Sequence, residues 1–256
     1  MALLADSSAE ALALPGMAAP VSVSAHCKCC DSDAGLAGFA DFARDVYDYN
    51  RTRGIVSGIA VPYYRCATCG FGFTNRFDEW TSEDWVTHVY NADYHLFDPR
   101  YAEARPKKTV KMMREIFPDL THSVLDYGAG NGRTAELLLE AGFGPVTTYD
   151  PHHGNPIKPA ASHFDIVICI EVAEHSTSPL ALFDELHEYC APDGAILFST
   201  KNFSTVKGHW ADDGYVAPRN GHVSFYSEPT FQLIARRLGR VYHGVDVYRH
   251  LLLPIG

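Results

Sequence analysis

Two carboxylates flanking a run of alternating glycines are the residues whose types and spacing most directly imply chemistry. Val124, Leu125 and Asp126 end an apolar strand that runs into Gly128, Gly130 and Gly132 and then into a helix. Glycines at such a strand end let the backbone approach a ligand without Cβ clashes, and open α/β sheets bind their ligands there. Asp126 can accept a hydrogen bond from a cationic amine. Asp150 closes the next strand, where a carboxylate can hold both hydroxyls of a ribose. A second chemistry lies in the cysteines. Five of the seven sit in two short clusters, Cys27, Cys29 and Cys30, then Cys66 and Cys69, while Cys169 and Cys190 stand apart.

Composition narrows the function class. With 46% apolar residues in 256, the chain can bury a full core, and its net charge of -10 with no terminal Lys/Arg block argues against nucleic acid. No apolar run is long enough to span a bilayer, so no membrane partner is expected. The Ala-rich start carries Asp6 and Glu10 and no Lys or Arg before Lys28, unlike an export signal. Clustered thiols in a reducing cytoplasm favour metal over disulfides, and a cytoplasmic location is expected.

The elements that must position these residues follow from periodicity. Residues 1–24 read as a mobile tail, 25–77 as a small stapled unit, 78–120 as a connecting or lid segment, and 121–256 as the catalytic domain. Within the stapled unit, Phe39, Phe42, Ala43 and Val46 have near-helical spacing, which predicts a helix over 36–49. Another is predicted over 105–117, closed by Pro118. From residue 123 strands and helices alternate: strands at 123–127, 146–149, 165–170 and 195–200, helices at 134–141, 179–189 and 229–238. That order implies a Rossmann-like, doubly wound, mostly parallel α/β sheet, with 241–247 and 250–253 as an antiparallel edge pair. Only residues 151–163 separate Asp150 from the next strand, too few for a crossover helix plus a third strand, so that strand is expected to be missing.

The glycine spacing discriminates between cofactors. A dinucleotide fingerprint wants G-x-G-x-x-G, whereas here three glycines alternate and Arg133 follows. This pattern resembles the first motif of class I S-adenosylmethionine-dependent methyltransferases, and Asp150 matches their ribose-binding acid. Residues 164–175, with Ile170, Glu171, Glu174 and His175, are similar to the strand-four segment of the small-molecule branch, and residues 190–195 to the turn before strand five. The resemblance covers about 123–238. It implies S-adenosyl-L-methionine as cofactor, held by Asp126, Gly128, Gly130, Gly132, Asp150, Ile170 and Glu171, with no counterpart for the adenine-binding acid.

Cys27 with Cys30, and Cys66 with Cys69, each form a C-x-x-C knuckle that can point two thiolates at one tetrahedral zinc. Cys29 offers a competing ligand, and free or redox-active thiols are the alternative. Four thiolates saturate zinc, so its role would be structural. This front end, with Tyr94 and His95, resembles bacterial methyltransferases acting on sugars and natural products. The resemblance implies a small-molecule acceptor and a lid that presents Tyr94 and His95 to it.

For proton removal from an acceptor, His has the ordinary pKa suited to neutrality. His222 is the first candidate base, with His175 and Glu174 shaping the cleft or orienting it, while Trp210 and Tyr226 are candidate acceptor contacts. Packing or capping is the plain alternative for each. Two rival functions stand beside methyl transfer: a non-catalytic cofactor-binding or interaction protein carrying the zinc module, and a nicotinamide-dependent oxidoreductase. Oligomeric state is not legible from the sequence.

Overall fold

The computed structural model describes residues 14–151, 157–160 and 163–256. Its first sheet contains β1 (Ser24–His26), β2 (Asp33–Asp41), β3 (Ala60–Cys66) and β4 (Gly72–Phe73), all antiparallel neighbours in that order. Three helices follow, α1 (Ser82–His88), α2 (Tyr94–Phe97) and α3 (Ala104–Ile116). A capping box starts α1: the Thr81 hydroxyl accepts from the Asp84 N–H while the Asp84 carboxylate accepts from the Thr81 N–H.

The second sheet is built by β5 (Val124–Tyr127), α4 (Arg133–Glu140), β6 (Val146–Tyr149), β7 (Phe164–Ile170), α5 (Pro179–Tyr189) and β8 (Cys190–Ser199). After β9 (Ser224–Phe225) and α6 (Glu228–Arg237), it is completed by β10 (Arg240–Gly244) and β11 (Arg249–Pro254). The order is β10-β11-β8-β7-β5-β6, parallel from β8 to β6, with β10 and β11 the antiparallel edge pair. Ile166, Val167, Ile168, Ile196, Leu197 and Phe198 are all buried, as expected of strands covered on both faces. This is the doubly wound α/β sheet expected from the alternation. Among the described residues between β6 and β7 there is no third strand.

Two expectations are corrected. Residues 36–49 are not helical: Leu36 to Asp41 continue β2 and pair with β3, with a bulge between Leu36 and Gly38, and turns follow. Gly38 would weaken a helix interior by about 1 kcal/mol, whereas in the strand the backbone of this stretch is paired with β3. Residues 1–13 of the expected tail lie outside the described residues, but the rest is not loose. Leu14 is buried, the Pro15 carbonyl accepts from Trp80 Nε1, and the Gly16 and Ala19 carbonyls accept from the Arg76 guanidinium.

The last strand of the cysteine-bearing sheet is β9, which pairs with β4, Gly72 opposite Phe225 and Phe73 opposite Ser224, and from which the chain runs on into α6. At the start of α6, the Ser227 and Thr230 hydroxyls both donate to the Cys69 carbonyl, at 2.7 and 2.8 Å. The unit expected over residues 25–77 therefore closes its sheet with a strand supplied by the far end of the chain.

Candidate active site

The parallel strands β5, β6, β7 and β8 all end on the same side, at Tyr127, Tyr149, Ile170 and Ser199. A cavity of about 610 Å³ opens beyond those ends, lined by Asp126, Gly128, Gly130, Asp150, Ile170 and Glu171 among others. The turn after β5 is tightly built. Gly128 has φ 74°, and a Cβ there would lie 2.3 Å from Val172 Cγ2, so both the backbone conformation and the close approach exclude a side chain. Asp150 braces the turn by accepting from the Gly130 N–H at 2.8 Å. Gly132 (φ 78°) is the N-cap of α4 and does not line the cavity. Its part is conformational.

Asp126 is 3% exposed, and its Oδ2 is buried with no hydrogen-bond partner among the described residues. Burial, reinforced by the charge of Asp150, pushes its carboxyl up to about 7. A buried acceptor left without a donor is a cost the fold bears unless a ligand supplies one.

Aromatic residues from the connecting segment roof this cavity. Tyr94 packs edge-on against Tyr90 and Tyr101, with ring centroids 5.3 and 5.8 Å apart, and Tyr94 and His95 both line it. The roof is pinned by the buried Arg219, whose guanidinium lies 3.8 Å from the Phe97 ring centroid and donates to the Val89 carbonyl and to Asn91 Oδ1. Sequence reasoning missed this anchor, since nothing local distinguishes Arg219 from a surface arginine.

A second cavity of about 640 Å³ adjoins the first, and Asp98, Arg105, Ile170 and Glu171 line both. Asp98 and Arg105 form a 2.9 Å ion pair at this shared wall. Glu171 is a non-glycine residue at φ 54°, a strained conformation of the kind that clusters at functional sites. Its Oε1 accepts from Ser199 Oγ at 2.7 Å.

His222 lines the second cavity. Its Nδ1 is 2.7 Å from the Tyr215 carbonyl oxygen, which can only accept, so the proton sits on Nδ1 and Nε2 carries the lone pair. Contrary to the near-neutral value expected of it, burial lowers His222 to about 4, so the ring is neutral at neutral pH. His175 packs edge-on to His222 with centroids 5.0 Å apart, and it lines the first cavity. Glu174 lines neither cavity. It is fully buried and accepts from the Tyr215 hydroxyl at 2.5 Å, standing behind the residue that orients His222. Ligand atoms of Glu174, His175 and His222 lie within 4.8 Å of one another.

Two expected acceptor contacts are corrected. Trp210 is 5% exposed and packs on Tyr63, Phe203 and Phe225, while Tyr226 is fully buried, stacks on Phe231 and donates to the Ala173 carbonyl. Neither lines either of these two cavities. Both complete the core where the two sheets meet.

The cysteines converge as their spacing implied. Sγ atoms of Cys27, Cys30, Cys66 and Cys69 lie within 4.8 Å of one another, with Cys27–Cys69 at 3.6 Å and Cys30–Cys66 at 3.5 Å. A tetrahedron with metal–sulfur bonds of about 2.3 Å has edges of roughly 3.8 Å, so the set fits zinc. The competing Cys29 thiol is not in the group.

Comparison with known proteins adds the following. Residues 90–242, more than half of the chain, match the family model described as a methyltransferase domain. A ubiquinone biosynthesis O-methyltransferase of Actinobacillus pleuropneumoniae serotype 7 (strain AP76) is 22% identical over 162 residues, 53% of this chain and 66% of that enzyme, so just under two thirds of the relative's length is spanned. The crystal structure of Burkholderia thailandensis 1,6-didemethyltoxoflavin-N1-methyltransferase, with bound 1,6-didemethyltoxoflavin and S-adenosylhomocysteine, gives a TM-score of 0.50 at 13% identity, covering 73% of this chain and 96% of that one. The magnesium protoporphyrin IX methyltransferase of Synechocystis PCC 6803 with bound S-adenosylhomocysteine covers 70% and 97% at 16% identity, with a TM-score of 0.48. At 13% identity the likeness to the Burkholderia thailandensis enzyme is one of fold.

Proposed function

The chain belongs to the methyltransferase-domain family, and from that premise we propose that it moves the methyl group of S-adenosylmethionine to a small-molecule acceptor, a sugar or another natural-product intermediate, with His222 as general base. The observation that carries this reading is the orphaned carboxylate oxygen of Asp126, set beside Asp150 and a side-chain-free turn, in a cavity that shares a wall with the one containing His222.

S-adenosylmethionine supplies an electrophilic methyl group on a sulfonium. The residues present fit it: Asp126 would accept from its ammonium, Asp150 from its ribose hydroxyls, and the turn at Gly128 and Gly130 admits the ligand against bare backbone. The roof formed by Tyr90, Tyr94, His95 and Tyr101 excludes water from the reacting atoms. Ile170 and Glu171, at the shared wall, stand where acceptor and donor must meet, and alignment there is most of what an in-line displacement needs. Nε2 of His222 takes the acceptor's proton, with Tyr215 and, behind it, Glu174 fixing the ring. Zinc held by Cys27, Cys30, Cys66 and Cys69 would have no open position for catalysis and serves the fold. Rival readings as a binding protein or a nicotinamide oxidoreductase are disfavoured by the paired carboxylates with the adjacent histidine, and by the glycine spacing, respectively.

Calorimetric titration with S-adenosylmethionine tests the cofactor half. Asp126→Asn removes a charge-assisted hydrogen bond and should weaken binding about ten- to a hundredfold. Asp150→Ala, which also frees the Gly130 N–H, should do at least as much. Wild-type-like affinity in both variants would sink the assignment.

The raised pKa of Asp126 gives a signed pH test. Only the carboxylate pairs with an ammonium, so wild-type affinity should fall nearly tenfold per unit below about pH 7. Asp126→Asn should flatten this dependence. In the ligand-free protein the sign reverses: a carboxyl raised from 3.8 to about 7 costs stability as pH rises between those values. The Asn variant should therefore gain melting temperature over wild type from pH 4 to 7, with the gain constant above. A pH-independent difference would contradict the placement of a lone buried carboxylate.

A further inference from the structure

The second cavity carries an asymmetry of charge that the methyl-transfer reading does not use. Four cations and three anions line it: Arg100, Arg105, Lys108 and Arg249 against Asp98, Glu171 and Asp246. Two pairs are internally satisfied, Asp98 with Arg105 at 2.9 Å and Asp246 with Arg249. Glu171 sits at the inner end, on the wall shared with the first cavity, and is occupied by Ser199 Oγ. That leaves Arg100 and Lys108, both exposed and neither with a carboxylate partner among the described residues.

Their placement is fixed by the backbone. The Arg100 carbonyl accepts from the Arg105 N–H, which seats Arg100 at the start of α3, and its guanidinium lies 5.3 Å from the Tyr47 ring centroid. Lys108 follows Ala104 by four residues and precedes Met112 by four, so all three share one helix face, and all three line the cavity. Two free cations thus stand at the outer end while the polar set around His222, Tyr215 and Ser199 stands farther in. In a chain of net charge -10 this is a local exception. Charges beyond about 8 Å are screened at physiological salt, so these two cations set the potential an incoming ligand meets.

Resting on the methyl-transfer reading, we propose that the second cavity takes an acceptor bearing an anionic group, a phosphate or a carboxylate, which Arg100 and Lys108 hold while the methyl-accepting atom reaches Glu171 and His222. The anion is a handle. It orients the acceptor across the length of the cavity, and no charge on the reacting atom is required.

The test uses full-length protein and three sugars matched in body, glucose 1-phosphate, glucuronate and glucose, each titrated at low millimolar concentration and low ionic strength. Binding is read by calorimetry and melting temperature, with and without S-adenosylhomocysteine. Either or both anionic sugars should bind at least tenfold more tightly than glucose, and which of them does so identifies phosphate or carboxylate as the handle. R100Q and K108Q should each cost about tenfold for the anion and nothing for glucose, whereas K111Q, which changes an exposed lysine of α3 outside the cavity, should change neither. Equal binding of all three sugars, binding of none, or equal losses in K111Q would overturn the proposal. S-adenosylhomocysteine provides the separation: its binding without any preference for anionic sugars removes this inference and leaves the methyltransferase reading intact, and its failure to bind removes the latter.

Discussion

Replacing His222 by glutamine should lower turnover at saturating cofactor by two to four orders of magnitude, the range associated with loss of a positioned general base, while S-adenosylhomocysteine affinity stays within about threefold. The separation is expected because His222 lines the second cavity and not the first. The measurement is label transfer from methyl-labelled S-adenosylmethionine into a small-molecule extract, with parallel calorimetry on the cofactor product. Glutamine keeps the size and a hydrogen-bonding end, so packing around Tyr215 and His175 is conserved and a loss reports on proton acceptance. The pH profile is diagnostic. With burial holding His222 near 4, turnover at saturating cofactor should be flat from pH 6 to 8 and decline only on approach to 4. The limb near 7 contributed by Asp126 should appear instead in the second-order rate constant for cofactor, because it governs binding. A limb near 6.5 in turnover, or variant turnover within threefold of wild type, would remove His222 from the role.

How far the site was readable before the fold was known depends on whether the chemistry is local. The glycine turn and the carboxylates at the ends of β5 and β6 are encoded within a few residues of one another, and the apolar runs of β7 and β8 announce strands covered on both faces. Knuckle spacing similarly brings four of the five clustered thiols together. What failed was non-local. The periodicity of Phe39, Phe42 and Val46 mimicked a helix because nothing in that stretch reveals β3, the strand against which its first residues pair. Trp210 and Tyr226 have the types expected of an acceptor site and of a core, and only packing against Phe225 and Phe231 distinguishes these uses. The Asp98–Arg105 pair joins residues seven apart whose shared role comes from how α3 is set against the strand ends. Burial of His222 has the same origin: the imidazole is ordinary in sequence and displaced in pKa by the elements that enclose it.

Cys66→Ser should cost the protein its metal and about 10 °C or more of melting temperature. The four thiolates close a loop of chain from Cys27 to Cys69, and metal binding at such sites is folding free energy. Losing about 4 kcal/mol of it is worth roughly 10 °C in a chain of this size. The damage should spread beyond the first sheet. Lys28, between two ligands, donates to the carbonyls of Thr74 and Thr177, and Thr177 lines the first cavity. The Cys69 carbonyl receives the Ser227 and Thr230 hydroxyls that start α6. S-adenosylhomocysteine affinity should therefore fall in Cys66→Ser although no cysteine of the cluster touches that cavity, whereas Cys29→Ser should keep both metal and affinity. Elemental analysis of the wild-type protein should give one zinc per chain, lost on treatment with a strong chelator together with the same melting temperature. Isolation with two disulfides and no metal, shown by mass after alkylation without reductant, would replace the zinc with a redox pair. The close Sγ contacts of Cys27 with Cys69 and Cys30 with Cys66 define which two bonds that alternative requires.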